Sequence, residues 1–389
     1  MARKTREELN RLCIKYNTDR LWSWSRFNSY KNSKYEYYLK YIDKKKEDRQ
    51  DCIYTVTGGM AHDIMEKLYS GEINYDDMDG EFEDAWMTAG IAELKFDRND
   101  AEKNKKIADK YYQNLKHFFN NHICIPYKTE IERFIVISID KNIFQGYIDI
   151  CFKDDDGCFN IMDWKTSSIY KGEKALNECG QLVVYAIGLN QMGVPWDKIK
   201  ICWNFLKYVN IDCMQANDKW TTREIDRFEI GNKLQTSVKM WLKKLGYEEQ
   251  MMEYLDMLSQ TNDIKCLPED VQAKYKINDC IVYVDLTPEL IERWTTEITN
   301  TIDEIREKER EYTEKEDDTF FFDTPDEVKA QSYYFSTLCG YSPNLHKPYK
   351  IYLESIDAQK ENYLFGGVGS TTKKDKETEE DDLSWLDEL

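Results

Sequence analysis

The sequence has no long apolar run and few of the residues that interrupt regular structure. None of its hydrophobic stretches approaches the roughly 20 residues that a membrane-spanning helix needs. The 7 prolines and 17 glycines among 389 residues exclude a fibrous or linker-dominated chain. The amino-terminal stretch MARKTREELNRL is charged and lacks the apolar segment of a signal peptide. We therefore expect a soluble, intracellular, cytoplasmic protein with no membrane partner.

Paired cysteines and histidines are also scarce. The 11 cysteines are scattered without a C-x-x-C pair, which indicates reduced thiols and argues against disulfides, zinc fingers and zinc ribbons. The 4 histidines are His62, His117, His122 and His346. Any metal site must therefore be built mainly from carboxylates.

A third absence concerns nucleotide and nucleic-acid binding. No G-x-x-x-x-G-K-[ST] loop occurs, which excludes an ATPase or helicase motor within this chain. The 73 acidic residues outnumber the 54 basic ones, and the formal charge of -19 argues against binding nucleic acid by bulk positive charge. A local basic groove is still compatible with this total, because the field that acts on a ligand is local.

The basic residues are concentrated at the amino terminus. Residues 1–50 carry 14 Lys/Arg and 7 Asp/Glu, a net charge of +7, and they interleave aromatic residues around Ser25 and Tyr30. Aromatic and basic side chains together can stack and hold a single nucleic-acid strand. The same aromatic residues also recur at helical spacing and would then pack inward. Both interpretations stay open, and they can coexist.

The hydrophobic pattern predicts an α/β protein with a mixed sheet. We expect helices at 60–70, 101–122, 175–192, 222–259 and 288–316, and strands at 130–138, 143–152, 158–163 and 198–209. The corresponding domains are a basic aromatic helical region at 1–57, a core at 58–212, a mainly helical region at 213–355 and an acidic, disordered tail at 356–389. The charge run that ends the helix at 288–316 is typical of a solvated helix face.

Hydrophobic residues stand within the acidic tail. Residues 371–389 contain 8 acids and 3 lysines, and they include Leu383, Trp385 and Leu386. Such a segment could dock on a basic groove of a replication or recombination protein, or fold back on a substrate groove of its own chain. The simpler interpretation is a solubilising tail without a partner.

The most informative segment is a predicted hairpin that carries two acids and a lysine. Alternation along a strand projects Asp163 and Lys165 from one face and Trp164 from the other. A turn centred on 155–156 places residue 149 opposite residue 162, so Asp149 and Asp163 become diagonal neighbours. The alternative is a solvated surface hairpin, but the flanking residues are apolar. Two adjacent carboxylates repel unless a cation lies between them, which favours Mg²⁺ or Mn²⁺.

These residues belong to a series of motifs in a fixed order. The series runs S-x-S-x-F-x-x-Y from Ser23 to Tyr30, G-G-M-A-H-D-I-M-E from Gly58 to Glu66, Glu130, G-x-x-D from Gly146 to Asp149, D-x-K-T from Asp163 to Thr166, and Q-x-x-x-Y from Gln181 to Tyr185. The series resembles the RecB-type branch of the restriction-endonuclease-like, or PD-(D/E)XK, nuclease superfamily. The resemblance covers about half of the chain, residues 23–209.

The resemblance implies a restriction-endonuclease-like fold, with a mixed β-sheet flanked by helices and helical additions at both ends. It also implies roles for the motif residues. The metal ligands would be His62, Asp149, Asp163 and the carbonyl of Trp164, and Lys165 would orient the attacking water or offset charge on the phosphate. Glu130 would serve a second ion or a water, or it is simply a charged strand end. Substrate contacts would come from Gln181, Tyr185, Thr166, Ser25 and Tyr30, although Tyr185 could equally be a packing residue.

One departure from the relatives concerns iron–sulfur clusters. Many relatives, including the CRISPR-adaptation nucleases, hold a cluster with one cysteine near the first helix and three near the carboxyl terminus. The segment after Tyr30 has no cysteine, and the carboxyl-terminal region offers only Cys339. A standard cluster needs four thiolates, so we expect none.

The sequence therefore predicts a Mg²⁺- or Mn²⁺-dependent DNA exonuclease. We expect it to act on single-stranded or end-exposed DNA in replication, recombination or repair. Its composition suggests a bacterial or phage genome, with a bacterial host cytoplasm in the second case. The alternatives are a structure-specific or CRISPR-adaptation-like endonuclease, a catalytically inactive DNA-binding relative, and a purely structural interaction protein.

Overall fold

The computed structural model of the protein describes residues 3–91 and 101–365. The helices in this part of the chain are α1 (Arg6–Lys15), α2 (Trp24–Asn32), α3 (Lys34–Tyr37), α4 (Ile53–Ser70), α5 (Met78–Ile91), α6 (Ala101–Asn121), α7 (Glu173–Glu178), α8 (Gly180–Gln191), α9 (Ile230–Lys244), α10 (Met251–Thr261), α11 (Glu269–Gln272), α12 (Pro288–Lys315), α13 (Pro325–Ala330) and α14 (Lys347–Phe365). The strands are β1 (Thr129–Ile139), β2 (Asn142–Lys153), β3 (Phe159–Lys165), β4 (Ile199–Met214), β5 (Trp220–Asp226) and β6 (Tyr275–Val284).

The chain divides into two compact units. The first, the sheet unit, comprises the described residues of Ile53–Ile135 and Tyr147–Leu286. The second, the helical unit, comprises Val136–Gly146 and the described residues up to Cys52 and from Thr287 to Phe365. Strands β1 and β2 therefore contribute residues to both units. No helix in the described residues is both long and apolar enough to span a membrane.

A six-stranded mixed sheet is built around the long strand β4. The strand order is β1-β2-β3-β4-β5, and β6 also pairs with β4. Strand β3 runs parallel to the first half of β4, whereas β5 runs antiparallel to its second half. Strand β6 is antiparallel to β4 on the other edge, with an irregularity between Asn204 and Val209. The mixed α/β class, with a six-stranded mixed sheet flanked by helices, is thus confirmed and is consistent with a restriction-endonuclease-like fold.

The helices of the sheet unit cover two parts of the sheet. In the first, α4, α5 and α6 bury Met65, Phe82 and Leu115 against Met162 and Trp164 of β3. In the second, α9 and α10 bury an apolar cluster against β5, β6 and the distal half of β4. Burial of such side chains is worth about 1.5–3 kcal/mol each. The first cluster fixes α4 against β3, and this contact positions the candidate site.

Two of the strands lie where the sequence pattern predicts no strand. The helix expected over 222–259 is wrong at its start, because Trp220–Asp226 forms β5. Strand β6 lies in the region 213–355 that the sequence predicts to be mainly helical. Strand β5 shows little apolar alternation, since most of its residues are exposed. The strand is stabilised by its hydrogen bonds with β4. Because these bonds join β5 to another strand, the local hydrophobic pattern of β5 does not predict the pairing.

The β2–β3 hairpin has a different register from the predicted one. Ile150 pairs with Met162, so residue 149 lies level with residue 163 rather than with 162. The connection is a five-residue loop, 154–158, in which Gly157 adopts a positive φ of 75°. Because a one-residue shift moves every side chain to the other face, this register is what brings Asp149 and Asp163 to the same face.

The helical unit neutralises part of its basic amino terminus internally. The Glu309 carboxylate of α12 accepts hydrogen bonds from Arg20 at 2.7 Å and from the Tyr37 hydroxyl at 2.8 Å. Arg26 lies 3.4 Å from the same carboxylate. The acidic run of α12 is therefore not merely a solvated face, because it pairs with the basic residues of the same unit.

The carboxyl-terminal segment is only partly described. Helix α14 continues to Phe365, so residues 356–365 of the predicted disordered tail are helical. Leu383, Trp385 and Leu386 lie outside the described residues.

Burial of one lysine generates a stability prediction. Lys207 of β4 is 1% exposed, and its ammonium lies 3.9 Å from the centre of the Tyr111 ring. Burial lowers the pKa of Lys207 from 10.5 to about 7, although Asp226 opposes this shift and Lys110 adds to it. The unfolded chain therefore holds this proton more tightly, and folding stability should rise as the pH increases from about 7 to 10.5.

We expect Lys207→Met to raise the free energy of unfolding at pH 7 by about 2 kcal/mol, because methionine has a similar length and no charge to desolvate. Chemical denaturation at pH 7 and pH 10 measures this, and the gain should shrink at the higher pH. The exposed Lys239→Met serves as the matched control and should change stability by less than about 0.5 kcal/mol. A lower free energy of unfolding for Lys207→Met than for the wild type would contradict the prediction.

Candidate active site

The candidate site lies where β2 and β3 run side by side. Asp149 and Asp163 project from the same face of the sheet, with 15% and 8% of their side chains exposed. The neighbouring residues in both strands are apolar and buried. Local strand pairing and burial therefore hold two carboxylates together in a position from which neither can turn fully into solvent.

Helix α4 contributes a histidine to the same place. The Nε2 atom of His62 lies 2.8 Å from the carbonyl oxygen of Trp164, and Nδ1 lies 3.5 Å from the Asp149 carboxylate. One ligand atom each of His62, Asp149 and Asp163 lies within 4.8 Å of the other two. The structure thus brings together the imidazole, both carboxylates and the backbone oxygen that the sequence predicts as metal ligands.

The two carboxylates are strongly coupled. Burial, followed by the negative charge of Asp163, raises the pKa of Asp149 well above its ordinary value. Burial also opposes ionisation of Asp163, but Lys165 and a hydrogen bond with Asp149 outweigh this and lower the pKa of Asp163. The favoured arrangement without a cation is therefore a protonated Asp149 that donates to an ionised Asp163.

A lysine completes the charged cluster. The Nζ atom of Lys165 lies 2.7 Å from Asp163, and 29% of the lysine side chain is exposed. Burial works against its charge, but Asp163 and Tyr170 outweigh burial and raise the pKa of Lys165. The ammonium is therefore charged at neutral pH, and part of the side chain reaches solvent.

The donor set fits a divalent cation. Two carboxylates, a backbone carbonyl and an imidazole are ligands that Mg²⁺ or Mn²⁺ accepts, with oxygen predominating. Burial lowers the pKa of His62, which keeps the imidazole neutral and able to donate a lone pair. An ion would also relieve the repulsion that raises the pKa of Asp149.

The glutamate that lies near these groups is not the predicted one. Glu130 is 54% exposed and forms a salt bridge with Arg133 at 3.0 Å. Glu132 is 7% exposed, and its charge acts on the pKa values of His62, Asp149 and Tyr185. Glu132 adopts a left-handed φ of 48° within β1. This conformation breaks the strand alternation, so two glutamates that should share a face have different environments, which the sequence pattern does not reveal.

Two further predicted residues lie on α8, which packs against β3 and β4. Gln181 donates a hydrogen bond from Nε2 to the Tyr185 hydroxyl at 3.1 Å. Burial raises the pKa of Tyr185, and the charges of Asp149 and Asp163 contribute. The pair therefore lies within electrostatic range of the carboxylates, and Tyr185 also packs, since it is only 6% exposed.

Thr166 lies directly beneath α4. It is 8% exposed, and a Cβ added to Gly58 would lie 3.7 Å from its Oγ1. An alanine at position 58 would therefore make only an ordinary van der Waals contact with Thr166. The Thr166 side chain is buried, so little of it is available for the predicted contact with a substrate.

The predicted substrate contacts of the amino-terminal segment belong to the helical unit. Ser25 is exposed and lies 3.1 Å from the Ser23 hydroxyl. Tyr30 is 4% exposed and donates a hydrogen bond to Glu304 at 2.7 Å. The structure therefore contradicts base stacking on Tyr30, because its ring is covered and its hydroxyl is already engaged. The inward-packing interpretation holds for this residue.

A buried polar chain, absent from the sequence prediction, supports Trp164. The Tyr69 ring lies parallel to the indole with centroids 6.1 Å apart, and its hydroxyl lies 2.8 Å from His122 Nε2. On its other side, His122 lies 3.1 Å from Asp279, which accepts a hydrogen bond from Arg227 at 2.5 Å. The chain joins residues far apart in sequence, so no local motif could have indicated it.

The carboxylate pair generates a prediction about metal-linked stability. In Asp149→Asn, the amide can donate to Asp163 as the protonated acid does, so without a divalent ion the unfolding free energy should change by no more than about 1 kcal/mol. MnCl₂ should stabilise the wild type, by about 2.7 kcal/mol at 100 times the Kd. The Asp149→Asn variant should lose most of that gain.

Thermal unfolding with and without MnCl₂ measures both effects. Asp156→Asn, on the exposed loop of the same hairpin, is the matched control and should keep the response to Mn²⁺. A wild type indifferent to Mn²⁺, or strong destabilisation by Asp149→Asn without metal, would argue that the pair serves only the fold.

Comparison with known families agrees with this geometry. The sequence matches the model of the PD-(D/E)XK nuclease superfamily over residues 21–319, well over half of its 389 residues. No curated relative matches the sequence. The matched span includes the histidine, both aspartates and the lysine described above. The superfamily consists of metal-dependent nucleases, which are hydrolases acting on nucleic acid, and this chain belongs to it.

Proposed function

We propose that the protein is a Mg²⁺- or Mn²⁺-dependent DNA exonuclease of the RecB type. Its substrate would be single-stranded or end-exposed DNA, and its setting replication, recombination or repair. We place it in the cytoplasm of a bacterium, or of the bacterial host if it is encoded by a phage.

One observation carries the proposal. His62, Asp149 and Asp163 converge with the Trp164 carbonyl, and the charged Lys165 stands 2.7 Å from one of the carboxylates. Burial makes the carboxylate pair unfavourable without a cation. The same arrangement suits hydrolysis of a phosphodiester, whose transition state gains negative charge that a cation and an ammonium can both stabilise.

The residues divide this work. When bound, the ion would withdraw charge from the scissile phosphate and activate a water molecule for attack. Asp149, Asp163, His62 and the Trp164 carbonyl would hold it. Lys165 would orient the attacking water or stabilise the growing charge on the phosphate oxygens from the solvent-accessible side. Glu132 would add a third negative charge that favours a cation.

The preference for DNA ends rests on the motif set. A histidine-bearing helix followed by Q-x-x-x-Y is typical of exonucleases and recombination nucleases of the superfamily rather than of site-specific restriction enzymes. Tyr185 and Gln181 are hydrogen-bonded to one another beside the carboxylates. They would contact the DNA backbone, where base identity is not read.

The proposal predicts a specific pattern of cleavage. End-labelled linear DNA, single- and double-stranded, should be degraded with Mg²⁺ or Mn²⁺, whereas covalently closed circles should persist. Lys165→Ala should lower kcat by about 10²–10³-fold, because one preorganised charge is lost from the transition state. Asp149→Ala should remove activity to the background of a chelator-treated sample. Lys153→Ala, an exposed lysine of β2, is the matched control and should retain full activity.

Other outcomes separate the alternatives. Cleavage of circular substrates would replace the exonuclease by an endonuclease that uses the same site. Retained DNA binding without any cleavage would indicate an inactive relative. Cleavage that is indifferent to chelator and to both variants would contradict the assignment of the site.

A further inference from the structure

A tyrosine outside the recognised motifs lies on the same face of the sheet as the charged residues. In the parallel pairing of β3 with β4, Asp163 lies opposite Trp203 and Lys165 lies opposite Phe205. Residues that pair directly across two strands project from the same face. Trp203 and Phe205 therefore mark the face that carries the lysine and the second carboxylate.

The ring of Tyr170 is fixed against these two aromatic residues. It meets Trp203 edge-on with centroids 5.1 Å apart and an angle of 88°, and Phe205 at 5.2 Å and 85°. Edge-to-face contacts of this kind hold an aromatic ring in one orientation. Tyr170 thus stands on the active face, five positions after Lys165, although it belongs to the loop that follows β3.

The residue after Tyr170 makes a contact with strand β5. Lys171 forms a salt bridge with Glu224 of β5 at 2.7 Å. Gly172 then takes a positive φ of 52°, a conformation that glycine adopts at little cost, and the chain enters α7 at Glu173. The two edge-on contacts with β4, more than this exposed salt bridge, therefore hold the ring in its position.

The Ser167 hydroxyl lies 3.3 Å from the phenol oxygen of Tyr170 and 3.2 Å from the carbonyl oxygen of Ser168, and it can donate its proton to either. When it donates to the phenol oxygen, the phenol's own proton is directed elsewhere. Burial raises the pKa of Tyr170, with Lys165 opposing and Asp163 adding to the effect, so the hydroxyl stays protonated. Ser167 stands two residues after Lys165, so its contact with the phenol oxygen brings the Tyr170 hydroxyl to the chain segment that carries the ammonium. The charge of Lys165 and the hydroxyl of Tyr170 also act on each other's pKa.

We propose that Tyr170 is a further catalytic residue, whose hydroxyl donates a hydrogen bond to a non-bridging oxygen of the scissile phosphate next to the Lys165 ammonium. The inference rests on the proposed nuclease function and adds a second donor to it. Lys165 supplies charge on a flexible stem, whereas Tyr170 supplies a neutral donor on a ring that two edge contacts immobilise. A preorganised donor of this kind acts where charge develops during the reaction.

Tyr170→Phe is the direct test, because phenylalanine retains the ring and its contacts. With an end-labelled single-stranded oligonucleotide and Mn²⁺, we expect kcat to fall by about 10–10²-fold. KM, the Mn²⁺ affinity measured by calorimetry and the thermal midpoint should stay close to wild type. Tyr247→Phe, which removes a hydroxyl that contacts Asp270 at 3.2 Å, is the matched control and should leave kcat unchanged.

A substrate with a 3′-bridging sulfur tests which oxygen is contacted. Sulfur is a better leaving group and needs no proton, so a donor to the non-bridging oxygen should give the same defect on both substrates. A defect that disappears on the sulfur substrate would overturn the proposed contact in favour of leaving-group protonation.

Full activity of the Tyr170→Phe variant, or a loss explained by weaker Mn²⁺ binding, would overturn the inference while the proposed function stands. A wild type that cleaves nothing would overturn the proposed function and the inference with it.

Discussion

The repulsion between two buried carboxylates is the constraint on which the rest of the site depends. Asp149 and Asp163 lie level with one another on paired strands, and burial prevents either from escaping into water. Burial and the charge of Asp163 raise the pKa of Asp149, so a proton or a cation between the two carboxylates is favoured. The Lys165 ammonium contacts one carboxylate and offsets part of this negative charge. His62 and the Trp164 carbonyl complete a set of ligands that would hold a divalent ion.

The fold supplies this arrangement through a few contacts of long range. Helix α4 packs on β3 through a shared apolar cluster. This packing places His62 within hydrogen-bond distance of the Trp164 carbonyl oxygen, between Asp163 and Lys165 in sequence. Tyr69, seven residues later on the same helix, lies parallel to the Trp164 indole and is linked to the buried His122–Asp279 pair. Strand β4 carries the aromatic residues that fix Tyr170. The chemistry is thus concentrated at one strand end, while its geometry is determined by elements distributed over the sheet unit.

Local sequence patterns predict the parts of this site that depend on short-range geometry. Strand alternation correctly places Asp163 and Lys165 on one face, and the turn residues locate the hairpin. They do not give its register, which depends on a five-residue loop with Gly157 at positive φ. They do not separate Glu130 from Glu132 either, because the left-handed residue in β1 has no sequence signature. Helical periodicity does indicate the covered ring of Tyr30, which the structure shows 4% exposed. The pairing of β5 with β4 depends on hydrogen bonds with another strand, which is why local periodicity fails there.

The most direct test of the account is the position of a bound ion. Crystals grown or soaked with MnCl₂, measured near the manganese absorption edge, would locate the metal by anomalous scattering. The account predicts a peak in contact with Asp149, Asp163, the His62 imidazole and the Trp164 carbonyl oxygen, and none at that place in Asp149→Ala. An ion bound elsewhere on the protein, or a hairpin site that stays without a peak at millimolar Mn²⁺, would contradict it.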